Sequence, residues 1–162
     1  MSINLDTLNR WLLAPAETER LEFKEAKQQY DTGKLMRYFV ALANEGGGHL
    51  VLGVSDQRPR RVVGSRAFAD VPALNEFKAR VVEKLRLRVN TTELMHADGR
   101  VLVFEVPARP RGQPLDYEGS YLMRAGEDLV PMTPDQLRRI FAEGQHDWLL
   151  QPAMETVNAE QV

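Results

Sequence analysis

Glu17 and Glu22 stand five residues apart in ETERLEFKEAK (17–27), and Asp56 follows the apolar run HLVLGV (49–54). Carboxylate oxygens are the ligands that Mg²⁺ and Mn²⁺ prefer, and a metal held by them can activate water on a phosphodiester. Leu21 and Phe23 alternate with Glu22 and Lys24, so the acid and the lysine share one face of a half-buried strand. If the strand ending near Asp56 is a neighbour, Glu17, Glu22 and Asp56 converge at one end of a sheet. The competing account is solvated surface acids, and short acidic motifs of this kind are weak. Lys24 would either hold a phosphate or pair with Glu22.

Gly46, Gly47 and Gly48 raise a second possibility, a phosphate-cradling loop. A P-loop runs strand, glycine loop, Lys-Ser or Lys-Thr, helix. Here a helical pattern precedes the glycines, an apolar strand follows them, and no Lys-Ser or Lys-Thr pair is present. The dinucleotide spacing G-x-G-x-x-G is also absent. The glycines therefore read as a helix stop and a close backbone approach, and ATP binding is disfavoured.

Other chemistry is thin. The chain has no cysteine, which removes thiolate metal sites, a Cys nucleophile and a disulfide framework, and is compatible with a cytoplasmic location. His49, His96 and His146 form no H-E-x-x-H, and none of the serines sits in G-x-S-x-G. Hydrophobic residues at 43% and charged residues at 27% suit a globular chain, no apolar run is long enough to span a membrane, and the N-terminus lacks the pattern of a signal peptide.

The net charge of −2 hides an uneven distribution. Arg58, Arg60, Arg61, Arg66, Lys78, Arg80, Lys84, Arg86 and Arg88 share their span with only Asp70, Glu76 and Glu83. Such a local basic surface can hold phosphates although the whole chain is acidic; the plain alternative is a solvated helix face and loop. Tyr117 and Tyr121, near Arg109, Arg111 and Arg124, offer stacking and phosphate contacts to a single strand, with ordinary sheet packing as the competing account.

The elements that must position these residues follow from periodicity. Ile3 to Leu13 reads as a short helix ended by Pro15, Arg20 to Lys24 as a strand, and Asp31 as the N-cap of a helix reaching Asn44. His49 to Val54 is an apolar strand, with Arg61 to Val63 pairing back after a turn. Pro72 opens a third helix to about Leu87, with Leu74, Phe77, Val81 and Leu85 inward. Val89 to Met95 and Val101 to Val106 form a hairpin around Asp98-Gly99. After a Pro- and Arg-rich loop, Tyr117 to Arg124 is a strand, and Thr133-Pro134 starts a last helix from Asp135 to Ala142. The fold class expected is α+β (mixed α/β): a single domain with a mixed β-sheet of about five to six strands flanked by helices. Residues 1–143 form the domain, and 144–162, with Trp148 but no periodicity, read as a linker or the start of a further region.

Taken in order, these motifs resemble one family. Glu17, Thr18, Glu22, Phe23 and Lys24, then Ala41, Asn44, Gly47 and Gly48, then Gly53, Val54 and Asp56, then Gly64, then Tyr121, Arg124 and Gly126 are similar to the pattern of the Schlafen AlbA-like domain. That domain was formerly called "divergent AAA" and carries a DNA-binding label. The resemblance covers roughly residues 10 to 143 and rests on order and spacing, since each motif alone is weak. It implies the N-terminal module of a bacterial transcriptional-regulator-like or RecG-helicase-related protein that binds DNA or RNA. Lys24, Arg58, Arg60, Arg61, Arg109, Arg111, Tyr121 and Arg124 would be its contacts. It also implies an alternative, since related animal domains are endoribonucleases with three carboxylates: Glu17 and Glu22 match two, and Asp56 is the candidate third, with Mg or Mn as the metal. Those enzymes use two lobes, so a single-lobed chain of this kind would act as a homodimer. A purely structural or oligomerising domain is the remaining reading, and a non-enzymatic binding module is favoured.

Overall fold

The computed structural model describes residues 2–13 and 20–144. The first helix, α1 (Leu5–Leu12), begins at Asn4, whose side chain accepts a hydrogen bond from the Thr7 amide at 3.0 Å and closes a capping box with Thr7. Strand β1 (Leu21–Lys24) leads to α2 (Thr32–Asn44), where Asp31 is the N-cap and accepts from the Lys34 amide at 3.1 Å. The chain then returns as β2 (Gly48–Leu52), parallel to β1, in register Leu21 with His49 and Lys24 with Leu52.

The glycines between α2 and β2 act as the sequence predicts of a stop. Gly47 lies at φ +91°, a left-handed conformation, and a Cβ there would meet the Val106 carbonyl oxygen at 2.8 Å. A Cβ on Gly48 would stand 2.5 Å from the Arg20 carbonyl oxygen. The two close approaches let β2 fit between its neighbours.

Beyond β2, Val54 and Val62 form the pairing-back contact, a single antiparallel bridge that closes the loop 55–61. Helix α3 (Val71–Leu85) buries Phe77, Val81 and Leu85, with Leu74 half-buried. It ends two residues earlier than periodicity suggests because Arg86 turns left-handed at φ +58°. Leu87 and Val89 are nevertheless buried, as the chain dives into the sheet edge. The hairpin β3 (Asn90–His96) and β4 (Gly99–Val106) follows, and β4 pairs antiparallel with both β3 and β2.

The sheet order is β1-β2-β4-β3. Its two faces carry two cores. Leu50, Leu52, Leu102 and Phe104 meet α2 and α3, with Phe104 at 5.2 Å from Phe39 and 6.0 Å from Phe77 between ring centroids. Leu21, Phe23, Val51, Val101 and Val103 meet Leu8 of α1 on the other face. Strand alternation produces both faces from the same run of residues.

The remaining strands do not extend this sheet. Beta strands β5 (Asp116–Tyr117), β6 (Ser120–Ala125) and β7 (Asp128–Pro131) form a separate three-stranded sheet, so the mixed α/β class holds with strands divided four and three. Prolines 107, 110 and 114 lack the amide that would continue the ladder, which releases the chain from β4. Glu118 (φ +50°) and Gly119 (φ +87°) then reverse β5 into β6. The small sheet rests on α2 through Asn44: its Nδ2 donates to the carbonyls of Leu115 (3.0 Å) and Leu122 (2.8 Å), and its Oδ1 accepts from the Leu115 amide at 2.8 Å. A last helix, α4 (134–144), starts at Thr133, whose Oγ1 accepts from the Gln136 amide at 3.2 Å while Gln136 Oε1 accepts from the Thr133 amide at 3.1 Å. The expected linker beyond 144 lies outside the described residues. No helix among the described residues is long and apolar enough to cross a membrane.

Candidate functional site

Beta strand β1 is an edge strand, and the small sheet lies over the side of it that carries Glu22 and Lys24. Glu22 is 2% exposed. Its Oε1 is 3.2 Å from Lys24 Nζ and its Oε2 accepts from Arg124 Nη1 at 3.0 Å. Arg124 Nη1 also donates to the Leu21 carbonyl at 2.8 Å. Glu45, the residue after α2, completes the clamp: Oε1 accepts from the Arg124 amide at 2.7 Å, and Oε2 from Arg124 Nε at 3.2 Å. Lys24 Nζ donates to Tyr38 Oη at 3.0 Å, and Tyr38 Oη donates to the Glu127 carbonyl at 3.2 Å.

Burial raises the Glu22 carboxyl, against the pull of Lys24 and Arg124. Burial also works to lower Lys24, but the Tyr38 hydroxyl and Glu22 outweigh it and the net shift is upward. A carboxylate whose two oxygens both face cationic donors is the arrangement of an internal ion pair. The chain thus uses Lys24 and Arg124 to hold the small sheet against β1.

Arg60 belongs to the same internal framework. Its side chain is 5% exposed, its guanidinium lies 4.5 Å above the Phe23 ring, and its Nη2 is 3.4 Å from Glu127 Oε1. Its Nη1 donates to the carbonyls of Ser55 and Asp56 at 3.3 Å each, which shapes the loop 55–61. Arg109 pairs with Glu143 of α4 at 2.8 Å. Hydrogen bonding from Arg109 lowers the Glu143 carboxyl. Arg58, Arg61 and Arg111 are exposed, and Tyr121 stands exposed on β6.

The three proposed carboxylates fare differently. Glu17 lies outside the described residues. Glu22 is engaged as above. Asp56 is exposed and lines a cavity of about 420 Å³ with Glu25, Ser55, Gln57, Arg58, Pro59 and Arg61. Among the described residues no three His, Asp or Glu side chains gather as a metal-ligating group. A metal using Glu22 would have to displace Lys24 or Arg124, so the described residues do not fit that role as they stand.

The outward cations lie elsewhere. Arg66, Arg80, Lys84, Arg86 and Arg88 are all exposed, and among the described residues none has an ion-pair partner. They run from the loop before α3, along its exposed side and into its left-handed end. Sequence reasoning placed them in a basic span but did not single them out, and it missed Glu45 and Tyr38 altogether. Glu45 stands in N-E-G-G, where the glycines draw attention, and its partner is 79 residues away.

A mixed sheet crossed by two helices, with a second small sheet latched by buried ions, defines an α/β module rather than a P-loop or Rossmann enzyme. The chain belongs to the Schlafen, AlbA_2 family, whose model matches residues 17–133. Among solved structures it is similar to the DIP2311 protein from Corynebacterium diphtheriae, with a TM-score of 0.59 and 18% identity over 79% of this chain. This chain spans 29% of that protein. It is also similar to the N-terminal domain of a RecG-related protein from Nitrosomonas europaea, with a TM-score of 0.56 and 23% identity, covering 82% of this chain and 92% of that domain. These likenesses bear on the fold. A comparison with curated proteins finds no match.

Proposed function

We propose that this domain binds nucleic acid through phosphate contacts made by α3 and the segments flanking it. The observation that carries this reading is the set Arg66, Arg80, Lys84, Arg86 and Arg88, exposed and without carboxylate partners among the described residues. Cations that neutralise nothing internally are available to displace counterions from a phosphate backbone. Arg58, Arg61, Arg111 and Tyr121, exposed on other loops and on β6, extend the candidate surface. The likeness to the N-terminal domain of a RecG-related protein supports a place for the module in a helicase-related protein.

The test is fluorescence anisotropy on labelled hairpin RNA, single-stranded DNA and duplex DNA across a salt series. Binding should weaken steeply with salt. The triple substitution Arg80→Gln, Lys84→Gln, Arg86→Gln should lower the slope of log affinity against log salt by about two to three, near one per lost contact. Absence of binding on all three probes at low salt contradicts the reading.

The second reading, a ribonuclease dependent on Mg or Mn, draws on one observation: Asp56 and Glu25 line the same cavity beside Arg58 and Arg61. Adding Mn²⁺ midway through the anisotropy trace separates the two. A steady signal means binding alone; a decay that disappears in Asp56→Asn means cutting at this cavity.

A further inference from the structure

Three cations of the described residues lie over aromatic rings, and one of them is unlike the others. Lys24 sits 4.5 Å from the centre of the Tyr38 ring and Arg60 4.5 Å from that of Phe23. Each is buried or nearly so and is matched by a carboxylate, Glu22 for Lys24 and Glu127 for Arg60. Arg37 lies 5.3 Å from the centre of the Tyr117 ring, yet it is exposed on α2. Among the described residues its side chain has no carboxylate or hydrogen-bond partner. The first two contacts belong to the interior. The third leaves one face of a guanidinium in water, and contacts of that kind add little to stability.

Gly33, one turn before Arg37 on the same side of α2, leaves the pair uncovered. Its backbone is not left-handed, and glycine is a poor helix residue, so the helix itself does not call for it. A Cβ there would meet Asp31 Oδ1 at 3.1 Å, Tyr117 Oη at 3.6 Å and Arg37 Nη1 at 3.9 Å. A side chain would therefore press on the cap and begin to cover both groups. The nearby acids are engaged: Asp31 Oδ1 accepts from the Lys34 amide, and Asp116 Oδ2 accepts from the Gly119 amide at 2.9 Å. Strand alternation also sets Asp116 on the face of β5 opposite Tyr117. Beta strand β5 packs against α3 as well as α2, so the pair borders the helix that carries Arg80 and Lys84.

We propose that Arg37 and Tyr117 form a stacking platform for one unpaired base, and that the domain takes single-stranded or looped nucleic acid whose phosphates run to α3. This rests on the nucleic-acid reading above and narrows its ligand. A guanidinium already laid on a ring offers its outer face to a base at little further ordering cost. Every base has such a face, so the contact tolerates any sequence. A base inside a duplex is stacked on its neighbours and cannot reach the platform.

The test compares a short labelled single strand with the same strand made wholly of abasic sugar-phosphate, by anisotropy on the full chain. The parent should bind the base-bearing strand about tenfold more tightly. Arg37→Lys keeps the charge and removes the plane, so the ratio should fall toward one while the salt slope stays parental. Arg10→Lys, the same change on exposed α1, should keep the parental ratio. Two results overturn the proposal: equal binding of both strands by the parent, or a tenfold ratio that survives Arg37→Lys at a parental melting temperature. Each leaves the phosphate contacts of α3 standing. No binding to either strand at low salt defeats the nucleic-acid reading itself, and this inference with it.

Discussion

Two groups of cations in this chain look alike in sequence and differ in the fold. Lys24, Arg60 and Arg124 are buried or nearly so, and each lies against a carboxylate. Arg80, Lys84 and Arg86 stand in water along α3 and its end, with no carboxylate partner among the described residues. The difference is one of desolvation. A buried charge must be matched where it stands, so its partner is part of the structure. A solvated charge needs no partner and stays available to a ligand. Basic composition therefore does not locate a binding surface; burial sorts the cations first.

The comparison breaks most sharply at Arg124. Arg124→Ala would leave Glu22, 2% exposed, without its closest guanidinium, and Glu45 with only the backbone amide of residue 124. Removing one partner of a buried pair costs about 3–5 kcal/mol, so urea unfolding should show a large loss of midpoint. Arg80→Ala should change stability by no more than about 0.5 kcal/mol. Equal losses for the two substitutions would erase the distinction.

Asn44→Ala should cost less, about 1–3 kcal/mol, by leaving the Leu115 and Leu122 carbonyls without a donor at the seam between α2 and the small sheet. Hydrogen exchange should report the loss first in β5 and β6. Uniform exposure across the molecule would show that the small sheet is not a separately anchored unit.

Alkaline titration sharpens the same contrast at smaller amplitude. Lys24 binds its proton more tightly in the fold than in the unfolded chain, so its contribution is complete below 10.5 and declines as pH rises through its raised folded value. Glu22, also raised, works in the opposite pH region: its contribution is largest below 4.5 and falls as pH rises through its own folded value. Urea midpoints measured from pH 9 to 12 should therefore fall less steeply in Lys24→Met than in the parent.

Much of the scaffold was legible because its signals are local. Asp31 caps α2, the hairpin turns at Ala97-Asp98, one residue before the expected Asp98-Gly99, Thr133 caps α4, and the family motifs fall in order along the chain. Beta strand β7 was not legible: four residues, DLVP, carry too little alternation to stand out after Gly126. The division of the strands into two sheets depends on where the chain goes after Pro107, which no window of neighbouring residues encodes. The role of Arg124 was hidden for the same reason, since Glu22 lies 102 residues away. Its position near Tyr121 in a basic, aromatic stretch suggested a ligand, while its actual partners are known only once β6 is laid across β1.

The most direct test of the account is the salt dependence of nucleic-acid binding in Arg80→Gln, Lys84→Gln, Arg86→Gln, measured beside its thermal unfolding. The account predicts an unchanged melting temperature and a salt slope lower by about two to three. A parental slope with unchanged folding would contradict it and return the phosphate contacts to other residues.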